Sequence, residues 1–212
     1  MTEASRFDAP RPAPARVAKG PRWSDGSAPS DDRTLAELAR DDVEAFATLY
    51  RRHVRDVHAF LVRRCGSVTL AEDVTAAAFE RALRNLGSFR WRAGGFRAWV
   101  FRIALNELTD HHRSEQAARR RNERLAAHEP AVAPDPAADI ADLVDRDACR
   151  DTELRAALDR LRPREQAAIT LRYLAGLDHR AAAAAMGLPA PTFAVTLHRA
   201  MRALRAQLED QQ

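Results

Sequence analysis

The sequence predicts an all-α protein made of two small helical domains joined by a flexible acidic linker. Three observations carry this expectation. Apolar residues recur at spacings of three and four in two blocks, 34–113 and 150–208, the periodicity of amphipathic helices. No segment alternates with period two, so no sheet is expected. Between the blocks, residues 125–151 hold seven Asp/Glu against two Arg, together with Pro130, Pro134 and Pro136, a composition that buries too little apolar surface to fold alone. A chain of 212 residues with 46% hydrophobic content accommodates two such cores.

Residues 1–33 carry five prolines among Ala, Ser and Arg without apolar periodicity and are expected to form a disordered tail. From Thr34, the series Leu35, Leu38, Val43, Phe46, Leu49, Tyr50, Val54, Val57, Phe60 and Leu61 predicts a helical stripe. A second helix is expected after Gly66, opened by a capping box over Thr69 to Glu72, with Val74, Ala78, Phe79, Ala82, Leu83 and Leu86 as its buried stripe, and ended at Gly87. A loop with Phe89, Trp91, Gly94 and Gly95 precedes a third helix with Phe96, Trp99, Val100, Ile103, Ala104 and Leu108 on one face. The linker is placed at 114–149. In the second block, Leu154, Leu158 and Leu161 form one helix, and Pro163 opens the next at a tolerated first-turn position. Gly176 stops that helix, and Asp178 caps a short one that runs to Met186. Gly187 turns the chain, and Pro189 and Pro191 open the last helix, lined by Phe193, Leu197, Ala200 and Leu204.

Charge narrows the function class. The net charge is +4, and 33 of the 34 basic residues are arginine. Two basic blocks flank the acidic connector, a distribution that favours a polyanion such as nucleic acid. No apolar run is long enough to cross a bilayer and no signal peptide is visible, so the expectation is a soluble cytoplasmic protein with no membrane partner. Cys65 and Cys149 cannot build a disulfide framework or a zinc site. No phosphate-binding glycine loop, HExxH pair or GxSxG elbow occurs, and His111 and His112 beside Asp110 lack further ligands. No catalytic residue, metal or cofactor is therefore expected.

Residues 178–199 have the form of a helix-turn-helix, with Ala183 small enough to let one helix cross closely behind the other. A plain helical hairpin in an alanine-rich bundle is the competing reading. Opposite the apolar stripe of the third helix, Arg102, Asn106, Thr109 and Arg113 repeat at four, three and four, one polar ridge. Arginine grips phosphates and Asn reads base edges or unpaired bases. The aromatics Phe89, Trp91, Phe96 and Trp99 beside these arginines suit stacking on single-stranded bases, with core packing as the alternative, favoured for Phe96 and Trp99 by their phase.

The order of motifs resembles a known family. Asp42-Val-Glu-Ala-Phe46 with Leu49-Tyr50 comes first, then Ala71-Glu-Asp-Val74 with Phe79, then Phe96 to Ala104 with Asn106 and Asp110-His-His-Arg113. Leu161-Arg-Pro-Arg164, Leu171-Arg-Tyr173, Gly176-Leu177, Met186-Gly187 and Leu197-His-Arg-Ala200 follow. Together they resemble bacterial RNA polymerase sigma factors of the extracytoplasmic-function (ECF) group, with 34–113 as the sigma-2 domain and 150–208 as the sigma-4 domain. The resemblance implies partners: core RNA polymerase through its beta-prime clamp helices and beta flap, promoter DNA, and an anti-sigma factor. It implies a minus-10 reader over Arg92, Arg97, Arg102, Asn106, Asp110 and Arg113, and a minus-35 reader over Thr192, Val195, Thr196, His198, Arg199 and Arg202. Glu72, Asp73 and Phe79 would face polymerase.

Two departures accompany it. Ala76 and Ala77 stand where relatives often place Gln and Glu, and Ala194-Val195-Thr196 stands where they commonly carry a Lys-Ser-Arg type run. The second leaves DNA affinity in the C-terminal domain to Arg199, Arg202 and Arg205, so weak minus-35 binding is expected. Two other functions fit the residues: a sigma-like polymerase- or regulator-binding interaction protein, and a one-component helix-turn-helix transcription factor.

Overall fold

The computed structural model describes residues 31–126 and 146–209; the tail and most of the linker lie outside the described residues. All regular structure among these is helical. The apolar series from Leu35 to Leu61 is divided between two helices, α1 (Asp32–Leu38) and α2 (Val43–Cys65). The division is local: the Asp31 and Asp42 carboxylates each accept a backbone N–H in the first turn that follows, 3.1 Å from Thr34 and 2.9 Å from Glu44, which starts a new helix at each. The Thr34 N–H holds the Asp31 carboxyl below the usual carboxylate range.

Helix α3 (Val68–Asn85) is capped by Ser67, whose hydroxyl accepts from the Leu70 N–H at 3.2 Å. The expected capping box at Thr69 is thus two residues out of register, because Ser67 reaches the free amide first. Glu72 is released from that role and is exposed. A short 3-10 turn, Leu86–Ser88, carries the chain past Gly87. Helix α4 (Gly95–Ala126) is far longer than its apolar stripe and continues past the boundary expected at residue 113. Helices α5 (Arg146–Asp159), α6 (Pro163–Ile169), α7 (His179–Ala185) and α8 (Ala190–Glu209) build the C-terminal part. A π-helical turn, Thr170–Leu174, ends α6. Asp178 caps α7 as expected, accepting from the Ala181 N–H at 2.8 Å.

Two cores were expected, but the buried residues divide differently. One cluster runs from Leu35, Phe60 and Phe96 through Ala98 into Leu171, Ala181, Ala183 and Phe193, joining the N-terminal helices to α7 and the face of α8 packed behind it. A smaller cluster of Leu158, Leu161, Ile169, Ala200 and Leu204 closes α5 and α6 onto α8. Alanine decides this arrangement. Ala181, Ala182, Ala183 and Ala185 are all buried, so α7 is thin enough to be covered from both sides. The small residue at 183 serves the helix-turn-helix crossing, and the one at 181 serves a contact between the two halves of the chain.

Candidate nucleic-acid interface

The aromatic cluster before α4 sorts by burial. Phe96 is fully buried, and its ring meets Phe46 at 6.4 Å, Phe89 at 6.1 Å and Trp99 at 5.7 Å between centroids. Phe89 is buried and Trp99 half-buried, 4.7 Å apart. These three are packing residues. Trp91 is 40% exposed and is held by a backbone feature: Gly95 has φ +57°, and a Cβ there would lie 2.7 Å from the indole. A glycine at this position gives the Trp91 ring its seat against the start of α4.

Along α4, Arg102, Asn106, Asp110 and Arg113 are exposed, as is Arg92 in the loop. The Thr109 hydroxyl donates to the Leu105 carbonyl at 2.8 Å. Arg102 shares a concave surface with Ser88, Arg90, Arg92 and Trp99, so cations and an aromatic edge converge there. Asp110 lies 3.7 Å from Arg81 and 3.6 Å from Arg113. Arg81 also donates to Glu107, which ties α3 to α4 and raises the Arg81 pKa above its ordinary value. Asp110 is therefore a brace for the two arginines in this arrangement. Among the described residues no group of three or more His, Cys, Asp or Glu could hold a metal.

Two expected site residues are corrected. Arg97, expected in the minus-10 reader, is engaged elsewhere: its guanidinium lies 4.7 Å over the Phe101 ring, donates to the Ala175 carbonyl at 3.0 Å and sits 3.6 Å from Asp56. It faces the C-terminal half because it lies five residues before Arg102, which turns it off that face. Phe79 is 3% exposed and packs edge-on against Tyr50 at 4.8 Å. Its ring supports α3 from within and offers no surface to a partner. Glu72 and Asp73 are exposed beside Ala76.

On α8, Thr192, Val195, His198, Arg199 and Arg202 are exposed and Thr196 is half-buried, while Phe193, Ala200 and Leu204 point inward. Arg205 is exposed but lies well round the helix from Arg199, six residues on. The structure brings to this surface two residues that sequence reasoning had passed over. Arg162 and Arg164, at the entry to α6, line the same groove as Thr192, Val195, Thr196 and Arg199. Their signal was the Arg-Pro-Arg run around Pro163, read only as a family signature and a helix start.

The two halves meet over the start of α4. A Cβ on Gly94 would lie 2.5 Å from that of Ala181, so α7 sits directly against this loop. Three arginines of the N-terminal half close the seam. Arg63 donates to the Leu174 carbonyl at 3.0 Å, Arg97 to that of Ala175, and Arg64 to the Asp159 carboxylate at 2.6 Å. Arg64 is only 3% exposed and its Nε has no hydrogen-bond partner.

The chain matches the family descriptions Sigma-70 region 2 over residues 49–118 and Sigma-70, region 4 over 151–204. It is 30% identical over 190 residues to the ECF RNA polymerase sigma factor BldN of Streptomyces coelicolor, covering 87% of this chain and 69% of that one. The chain belongs to the ECF sigma factors. The ECF sigma factor SigE of Mycolicibacterium smegmatis is 31% identical over 193 residues, with 87% of this chain and 72% of that one covered. Among solved structures, CnrH in complex with the cytosolic domain of CnrY has a TM-score of 0.57 at 25% identity, covering 85% of this chain and 99% of that one. As a sigma factor the protein binds core RNA polymerase and promoter DNA and directs promoter-specific initiation. Among the described residues, no helix of this sigma factor is long and apolar enough to cross a membrane.

Proposed function

We propose that the loop and ridge from Trp91 to Arg113 open and hold the minus-10 element, with Trp91 stacking on an unpaired base, Arg92, Arg102 and Arg113 gripping phosphates and Asn106 reading a base edge. The observation that supports this most is the exposed Trp91, seated on Gly95 and sharing a concave surface with Arg92, which lines a second one with Arg102. Region 34–113 then acts as the opening and polymerase-docking domain, through Glu72 and Asp73, and 150–208 as the duplex-reading domain. The protein works in the cytoplasm, where core polymerase is, and as a non-enzymatic specificity subunit that leaves catalysis to the polymerase. The likeness to CnrH, solved with a cytosolic domain of another polypeptide, supports an anti-sigma factor as a further partner. Core polymerase pulled down with the full chain, followed by runoff transcription on a genomic promoter pool, should give discrete promoter-dependent transcripts. Core enzyme that neither co-purifies nor gains selectivity would sink the reading.

The seam over Gly94 gives this function a starting state. With α7 against the loop, the duplex-reading half borders the minus-10 surface, and in this reading the halves part when both promoter elements are engaged. Asp159→Ala strands the buried Arg64 charge, a loss that costs about 1–3 kcal/mol or more. The variant should show a larger radius of gyration by small-angle scattering than the wild type. An unchanged radius would mean that this ion pair does not hold the halves together.

A further inference from the structure

The recognition helix of this chain poses a problem of affinity. Ala194, Val195 and Thr196 carry no cation, yet a duplex contact needs charge against phosphate. The groove beside α8 supplies it from another element. Arg162 and Arg164, at the entry to α6, line it together with Thr192, Val195, Thr196 and Arg199 of α8. The three arginines are exposed and none makes an ion pair among the described residues. Glu165 also lines the groove, but a single carboxylate leaves the lining net positive.

The uncharged lining residues have their own chemistry. Val195 is 52% exposed and carries no polar atom on its side chain. The Thr196 hydroxyl commits its proton to the Thr192 carbonyl at 2.8 Å, so it has no donor left for a base, while its methyl group remains available for an apolar contact. A small apolar surface in a groove also lined by arginines is suited to the one apolar group that a base pair shows in the major groove, the thymine C5 methyl.

Resting on the reading that this domain binds the minus-35 duplex, we propose that it recognises thymine methyls through Val195 and Thr196 and is held to the backbone by a clamp of Arg162, Arg164 and Arg199. Affinity and selectivity are then split between elements. Arg162 and Arg164 bind phosphate regardless of sequence, and Val195 and Thr196 read sequence with little affinity of their own.

The test uses holoenzyme assembled from the full chain and core polymerase, on a promoter recovered from the genomic pool. Deoxyuridine replaces thymidine in the minus-35 segment, which removes the methyl groups and nothing else. Wild-type binding should weaken by about four-fold per contacted methyl, the equivalent of about 0.8 kcal/mol each, and Val195→Ala should shrink the difference between thymine and uracil DNA. Arg162→Ala with Arg164→Ala should flatten the dependence of log affinity on log salt by about two units, equally on both DNAs. The Lys substitutions at 162 and 164 should restore the slope, separating charge from any loss of packing. Binding that is lost on scrambling the element but blind to uracil overturns the methyl contact. An unchanged salt slope in the double alanine variant overturns the clamp. Binding indifferent to scrambling removes minus-35 reading by this domain and the present inference with it.

Discussion

Replacing Arg102 and Asn106 together with alanine is expected to abolish promoter opening while leaving core-polymerase binding near wild type. Both side chains are exposed on α4, opposite the buried stripe of Phe96, Val100, Ile103 and Leu108, and neither makes an ion pair or side-chain hydrogen bond among the described residues. Truncating them opens no cavity, so the fold should survive. What is lost is contact with DNA. Even at about 1 kcal/mol each, the low end for a good base or phosphate contact, the pair amounts to roughly 30-fold in the opening equilibrium. The proposed docking residues Glu72 and Asp73 lie on a different helix, α3, which is why core binding should persist. Permanganate reactivity of unpaired thymines in the holoenzyme complex measures the opening directly. Thymines as reactive as with wild type would reduce the ridge to solvated surface.

Phe96→Ala should have the largest effect on stability. The side chain is fully buried and its ring touches Phe46, His53, Phe89 and Trp99, so no single neighbour can move to fill the space. Loss of a buried Phe costs about 3–5 kcal/mol, transfer and cavity terms together. A helical domain of this size should melt roughly 10 °C or more lower. The consequence reaches function as well, because Phe89 and Trp99, two of the rings that pack on Phe96, shape the loop that carries Trp91. In calorimetry or thermal circular dichroism, a melting temperature within a few degrees of wild type would contradict the role of Phe96 as hub of this core.

Phe96 also illustrates how much of the molecule could be read in one dimension. Its phase with Val100, Ile103 and Leu108 marked it as core, and the structure buries it; Trp91 lay outside any period, and only the fold shows it exposed. The same holds for helix ends. Pro163 and Asp178 announce helix starts through backbone chemistry that acts within three residues, and they stand where expected. Ser67 was missed in favour of Thr69 because two hydroxyls two residues apart are equally plausible caps until the turn geometry chooses one.

What the sequence by itself determined is set by interactions of short range: the all-helical class, the buried stripe of each helix, the helix-turn-helix and the family membership carried by the ordered motifs. Side chains three or four residues apart share a face whatever the rest of the chain does. The tertiary structure alone decided which elements meet. It paired Arg97 with the Ala175 carbonyl, packed Phe79 against Tyr50, set Ala181 against Gly94, and brought Arg162 and Arg164 to a helix that begins 26 residues after the second of them. Such contacts depend on the directions in which helices leave their turns and on how closely alanine and glycine let them approach. Neither quantity is written in the spacing of residues along a single helix.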